Sequence, residues 1–322
     1  MPKYKLFTDN DLDGDGCGIT AESMLGPIDI TYCTPSNVNA MITKFIDTKQ
    51  YEKYDIVFIT DLVISEDTAK LIDSVNDHRF RLLDHHKSSL IYNDYSWAWV
   101  QVKLDGRDTC GTELLFDHIN RFIKPTISET KYNALDYFVE CVRLWDVWDW
   151  PDAGDTGVEA KELNTAFKLF GNKRFHKNLV LRINQGSYNF ISPEEYPMIE
   201  VEENRKDRYF KKKFKHVKVL HLVTGEDIAY VFAEEYLSEL GNYILRNIEH
   251  SNVKYVAMIN PDTCVVSMRS IKGSDVKLDE VARCFSPNGG GHESSAGFRF
   301  DEGITDYMVR TIFGDNTVER QD

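Results

Sequence analysis

Three aspartates, Asp9, Asp11 and Asp13, recur at every second residue in the run Asp9-Asn10-Asp11-Leu12-Asp13-Gly14. In an extended chain they share one side. So much negative charge in one place is costly without cations, and hard oxygen donors of this kind suit magnesium, manganese or calcium. The opening of the run also fits the calcium loop of an EF-hand, with alternating acids and a glycine at the sixth place. The twelfth place rejects that reading. An EF-hand needs a bidentate glutamate there, whereas counting from Asp9 gives Thr20, and the segment before Asp9 reads as a strand rather than a helix.

Three further groups could join this chemistry. Asp61 ends an apolar run in Ile59-Thr60-Asp61-Leu62, and Leu82-Leu83-Asp84-His85-His86-Lys87 sets two adjacent histidines after an aspartate. Such a pair offers one metal ligand and one neighbour able to touch substrate. Asp146 stands in an aromatic and apolar setting, Leu144-Trp145-Asp146-Val147-Trp148. A buried acid needs a partner, which is either a metal or an ordinary one such as the backbone or Arg143.

The elements that must position these residues follow from the apolar pattern. Runs at 4–8, 28–32, 55–60 and 79–83 are short and rich in β-branched or aromatic residues, and helix-length segments separate most of them. That alternation predicts a parallel α/β sheet, in which ligands bind beyond the carboxyl ends of the strands. The aspartates fall at those ends. A helical, apolar pattern over 127–150 stops at Trp150 and Pro151. A helix-rich connector follows, in which eight of the fourteen residues 205–218 are lysine or arginine. These form either a solvated helix face or a basic wall beside substrate. After Gly225 a second α/β unit begins, with strands at 228–232, 255–259 and 264–268 and a helix near 238–247, and it ends in a glycine-rich turn.

With 322 residues the chain is long enough for two domains. Its formal net charge of −14 repels polyanions at long range, which argues against tracking along duplex DNA or long RNA. Six scattered cysteines form no CxxC pair, and neither a secretory leader nor a membrane span is expected. These features predict a cytoplasmic protein with reduced thiols.

Taken together, the four acidic elements resemble the DHH phosphoesterase superfamily, named for the triplet that stands here as Asp84, His85 and His86. The segment Asn288-Gly289-Gly290-Gly291-His292, followed by Ser294-Ser295-Ala296-Gly297-Phe298, resembles the DHHA1 substrate domain, and Val266-Ser267-Met268-Arg269-Ser270 resembles the strand that supplies its arginine. The stretches around Asp11 and Asp146 are most similar to the oligoribonuclease and cyclic nucleotide phosphodiesterase branch. The resemblance implies a DHH catalytic domain over 1–155, a helical connector over 156–222 and a smaller DHHA1 domain over 223–322. It implies two manganese ions, with magnesium or another divalent ion as substitutes. Asp9 and Asp11 would hold one and Asp13, His85 and Asp146 the other, with Asp61 between them. Asp84 would orient the histidine, and His86 would neutralise phosphoryl charge. Arg269, Ser270, Gly289, Gly290, Gly291 and His292 would bind substrate, with the second domain closing over it. Many members carry histidine where this chain has Asp9, so this site is more acidic and favours harder ions. The implied substrates are very short RNAs, with cyclic or linear signalling dinucleotides as the alternative and single-strand exonuclease or pyrophosphatase activity behind them. Long duplexes and membranes are not expected as partners, and a homodimer is compatible with the reading.

Overall fold

The computed structural model describes residues 2–301 apart from 76, 223–225, 250, 251 and 288, and beyond them residues 303, 304, 307 and 311. Gly225 and Asn288, both landmarks of the sequence, therefore lie outside the described residues. The chain divides into two compact units, Met1–Glu202 and Glu203–Asp322.

The first unit runs β1 (Tyr4–Asp9), α1 (Leu12–Leu25), β2 (Asp29–Cys33), α2 (Val38–Asp47), β3 (Ile56–Thr60), α3 (Glu66–Val75), β4 (Phe80–Asp84) and β5 (Ala98–Val100). A small β6–β7 hairpin (Lys103–Leu104, Arg107–Asp108) leads to α4 (Gly111–His118), α5 (Glu129–Asp146) and α6 (Gly154–Asn184), and α7 (Tyr196–Phe214) runs into the second unit. The sheet is parallel throughout, in the order β2-β1-β3-β4-β5. Side chains alternate across its two faces. Leu6, Phe58 and Leu83 enter one core with apolar residues of α1, α4, α5 and α6. Phe7, Val57, Ile59 and Leu82 enter the other, with Val38 and Ile42 of α2 and Ile72 of α3. Both faces are therefore covered, as a parallel sheet requires.

The strand order reverses its winding between β1 and β3, where open α/β sheets bind their ligands. Asp9 closes β1, Asp61 follows β3 and Asp84 closes β4. The turn from β1 into α1 is tight because Gly14 lies directly against it. A Cβ there would stand 2.0 Å from the carbonyl oxygen of Asp9.

In the second unit, β8 (Lys218–His221), β9 (Asp227–Phe232), α8 (Leu237–Asn247), β10 (Val253–Asn260), β11 (Val265–Ser270), α9 (Leu278–Phe285), β12 (Gly290–His292) and β13 (Ser295–Arg299) form a six-stranded sheet, ordered β12-β13-β11-β10-β9-β8. Only the β9–β10 pair, joined by the α8 crossover, is parallel. The glycine segment, expected as a turn, is a strand from Gly290 onward and pairs with β13. On the side facing β13 its backbone groups enter that ladder, and β12 is the edge strand of the sheet. No helix among the described residues is long and apolar enough to cross a membrane. All six cysteines are unpaired thiols.

Two glycines test this packing. Gly14→Ala has no room and should lower unfolding stability by about 3 kcal/mol, the upper range for an overpacked site. Gly290→Ala meets nothing within 4 Å and should stay within about 0.5 kcal/mol of the parent. Urea denaturation of both variants checks the pair; equal midpoints would mean that the β1–α1 turn packs otherwise.

Candidate active site

Each acid is delivered by a different local device. Asp9 is the last residue of β1, and its Oδ1 accepts the amide of Asn10 at 2.7 Å. Asp11 is the N-cap of α1, its side chain accepting the amide of Gly14 at 2.9 Å. Asp13, in the first turn of the same helix, is fully buried. Its two carboxylate oxygens accept the amides of Gly111 (2.6 Å) and Thr112 (2.8 Å) at the start of α4. There the helix dipole favours a negative group. Asp61 sits at φ 52°, a left-handed backbone that few residues other than glycine, asparagine and aspartate accept readily. Asp146 is the last residue of α5.

His85 draws these together. Its Nε2 lies 3.2 Å from Asp61 Oδ1, 3.6 Å from Asp146 Oδ2 and 3.9 Å from Asp13 Oδ2. Two sets of ligand atoms result, Asp13, His85 and Asp146 in one and Asp9, Asp11 and Asp61 in the other, each within 4.8 Å of one another and each able to hold a metal ion. They meet at the Asp61–His85 contact. A third grouping, Asp61, Asp84, His85 and His86, overlaps both.

The electrostatics are those of a site built for cations. Burial, then the carboxylates of Asp13 and Asp11, push the Asp61 carboxyl well above its usual range. The same causes in the same order act on Asp146. Burial and Asp13 raise Asp11 to about 6. Asp61 Oδ2 is buried and has no hydrogen-bond partner. A bound divalent cation would satisfy that oxygen and reverse the repulsion, and a donor set of hard oxygens with one imidazole suits manganese or magnesium. The residues therefore fit a metal.

The Asp84 carboxylate serves a different ring from the one expected. Its Oδ1 lies 2.7 Å from His86 Nδ1 and accepts the backbone amide of His85 at 2.8 Å, while the His85 ring is held by the backbone of Thr109. Burial opposes ionisation of Asp84, but His86 and then His85 outweigh it and lower its carboxyl to about 2. Burial likewise opposes charge on His86, and Asp84 outweighs it, lifting the imidazole to about 9. The contact with Asp84 thus favours the protonated ring of His86. Arg143 does not bind Asp146; its guanidinium goes to Glu140, Asp149 and the carbonyl of Asp108. The sequence reading missed Thr109, Gly111 and Thr112. The signal available was a glycine-threonine pair opening a helix, which offers amides to an anion.

The remaining predicted residues lie in the second unit. Arg269, on β11, donates to Ser238 Oγ (2.5 Å) and to the carbonyl of Met268 (2.7 Å), both uncharged, and burial alone lowers its guanidinium to about 10. The stem is admitted by Gly241, where a Cβ would come within 2.7 Å of Arg269 Cγ. Ser270 is buried with its hydroxyl unpartnered. His292 is exposed at the end of β12. The three glycines are not equivalent. A Cβ on Gly289 would meet the Ala282 carbonyl at 2.3 Å and one on Gly291 the Ser295 carbonyl at 2.4 Å, whereas Gly290 faces open space. Half of the basic run is paired with acids, Arg205 with Glu235, Lys206 with Glu203 and Glu239, Lys211 with Asp207 and Lys213 with Glu234.

No family model matches the chain. Among solved structures, the DHH domain of a member of the s1p family of ribosomal proteins aligns over 97% of this chain and 86% of its own, with a TM-score of 0.65 at 14% identity. A curated relative, oligoribonuclease NrnB of Bacillus subtilis (strain 168), is 32% identical over 317 residues, covering 96% of this chain and 76% of its own length. The chain belongs to the DHH/DHHA1 phosphoesterase family. It is a hydrolase acting on phosphodiester bonds. Exonuclease RecJ bound to manganese shares the fold of this DHH protein, with a TM-score of 0.55 at 14% identity over 98% of this chain and 91% of that one.

The crowding of carboxylates predicts how metal links to stability. In chelator, Asp61→Asn should raise unfolding stability by about 1 kcal/mol, because it removes a buried carboxyl crowded by Asp13 and Asp11 and with one oxygen unsatisfied. Manganese should stabilise the parent, by ~2.7 kcal/mol at a hundredfold excess over its dissociation constant, and stabilise the variant far less. Thermal unfolding with and without manganese measures both, and an equal manganese gain in the two proteins would separate Asp61 from metal.

Proposed function

We propose that this DHH hydrolase cleaves very short oligoribonucleotides to mononucleotides, using two manganese ions held by Asp9, Asp11 and Asp61 and by Asp13, His85 and Asp146. The observation that carries the reading is the meeting of two ligand sets at Asp61 and His85, with one Asp61 oxygen left unsatisfied. Bound divalent cations would supply a strong oxygen nucleophile at neutral pH and offset charge on the phosphoryl group.

The chain's own residues do the rest. His86, whose protonated form Asp84 favours, stands beside the ligand sets and can donate to a phosphoryl oxygen as negative charge builds there. The backbone of Thr109 fixes the His85 ring and so the direction of its Nε2, which lies 3.2 Å from Asp61 Oδ1. In the second unit, Arg269 is a half-buried cation whose bonds among the described residues go to neutral groups, which leaves its charge for a terminal phosphate. Gly290 is the one member of its triplet with open space in front of it, so a nucleotide can approach its backbone there. Residues 1–155 would thus carry the chemistry and residues 223–322 the capture of substrate, in the cytoplasm.

The name of the Bacillus subtilis relative supports a short RNA substrate, and so does the charge balance. At a net charge of −14, each phosphate beyond the bound nucleotides adds repulsion and no contact. Lys206, Lys211 and Lys213 of α7 are already paired with acids, which reduces what they can offer a longer RNA.

Product analysis with manganese across dinucleotides, RNAs of about ten nucleotides, cyclic dinucleotides and pyrophosphate tests the substrate. Specificity constants should fall from dinucleotides to the longer RNAs, and added salt should narrow the gap. Efficient attack on cyclic dinucleotides alone would replace the RNA reading with a signalling one. Arg269→Ala should weaken substrate binding by ~1.5–3 kcal/mol while leaving manganese stoichiometry unchanged. Loss of manganese in that variant would overturn the assignment of Arg269 to substrate.

A further inference from the structure

Helix α6 carries a polar cluster that the reading above does not use. The helix is broken at Gly171 (φ 70°, ψ 158°), and directly after the break Asn172 and His176 stand four residues apart on one face. Asn172 Nδ2 donates to Asn10 Oδ1 at 2.7 Å. Asn10 lies between Asp9 and Asp11, and its own amide is bonded to Asp9. His176 stands between two carboxylates, with Nδ1 3.0 Å from Asp15 Oδ1 and Nε2 2.9 Å from Glu22 Oε2. Both acids belong to α1, the helix whose cap is Asp11 and whose first turn holds Asp13. Asp15 is fully buried and also accepts the hydroxyl of Tyr32 from β2. One turn before Asn172, the ammonium of Lys168 favours the ionised forms of Asp9 and Asp11.

Packing alone does not call for this cluster. α6 already buries Leu163, Phe167, Phe175 and Leu179 in the core it shares with α1. A buried carboxylate and a histidine bonded at both nitrogens add a desolvation cost that apolar contacts would avoid. What a polar network adds is direction, since each bond fixes an angle as well as a distance. Here the bonds of Asn172 and His176 end on the loop that carries Asp9 and Asp11, on α1 behind it, or on Tyr32, which is itself bonded to α1. Burial opposes protonation of His176, but Asp15 and Glu22 outweigh it and shift the imidazole upward.

We propose that Asn172 and His176 are positioning residues of the metal centre: through Asn10, Asp15 and Glu22 they hold Asp9 and Asp11 in the geometry that one of the two metal ions requires. The inference rests on the two-metal reading. Outer partners of this kind are worth about 10–100-fold in metal affinity when removed.

Titration calorimetry with manganese on the full chain tests it, using the parent, Asn172→Ala, Asn172→Leu, Asn10→Ala and the Asn10→Ala/Asn172→Ala double variant, beside thermal unfolding in chelator. The expected result is two sites in the parent. One should weaken about tenfold in each single variant while the other is unchanged, the double variant should be no weaker than the singles, and unfolding in chelator should not move. Parent-like affinity at both sites in the two Asn172 variants would overturn the proposal. So would an equal loss at both sites, or a loss matched by lower stability in chelator, since either marks a general structural defect. A parent that binds no manganese would overturn the two-metal reading itself, and that outcome is distinct from the others.

Discussion

Concentrated negative charge out of bulk water is the constraint around which the first unit is arranged. Carboxylates from the end of β1, the cap and first turn of α1, the residue after β3 and the end of α5 gather into two groups that meet where Asp61 contacts His85. Part of that charge is settled by the protein. Asp13 lies against the amides that open α4, and Asp84 is matched by His86. Asp61 and Asp146 are not settled, and both carboxyls are displaced upward by burial and by their neighbours. A fold that leaves these two acids to share one His85 nitrogen while giving Asp11 and Asp13 backbone amides is selective about where negative charge remains. The cores on both faces of the sheet hold the backbone against that repulsion.

Much of this was legible in the chain. Apolar runs ending in aspartate located β1, β3 and β4 to within a residue or two, because a parallel strand buried on both faces must be apolar along its length and the ligands gather where it stops. Asp9, Asp11, Asp13, Asp61, His85 and Asp146 were named from order and spacing, and the fold brings their ligand atoms together. What could not be read was which polar group each member leans on. The partner of Asp84 is the neighbouring ring of His86 and not His85, a matter of side-chain direction that spacing does not encode. The support from Thr109, Thr112 and Asn172 comes from segments far along the chain, and only the folded topology makes them neighbours.

The second unit shows how a motif can mix two demands. Gly289 and Gly291 are glycine because carbonyls of Ala282 and Ser295 occupy the space a side chain would need, so they serve the junction of α9, β12 and β13. Gly290 has no such neighbour. A triplet that reads as one signature in the sequence is thus two residues of architecture and one of open surface. Ordinary glycine logic could not separate them, because the separation depends on a strand pairing that the sequence presented as a turn.

The left-handed backbone at Asp61 narrows what evolution can place there. Asparagine fits the backbone but carries no charge. Glutamate keeps the charge but belongs to the residues that adopt this conformation reluctantly, at a cost of roughly 1–2 kcal/mol, and its extra methylene would also move the carboxylate off the His85 nitrogen. Glycine relaxes the chain and removes the ligand. Aspartate alone meets the conformational and the chemical requirement together, so position 61 tolerates drift less than the other acids, whose backbones are ordinary.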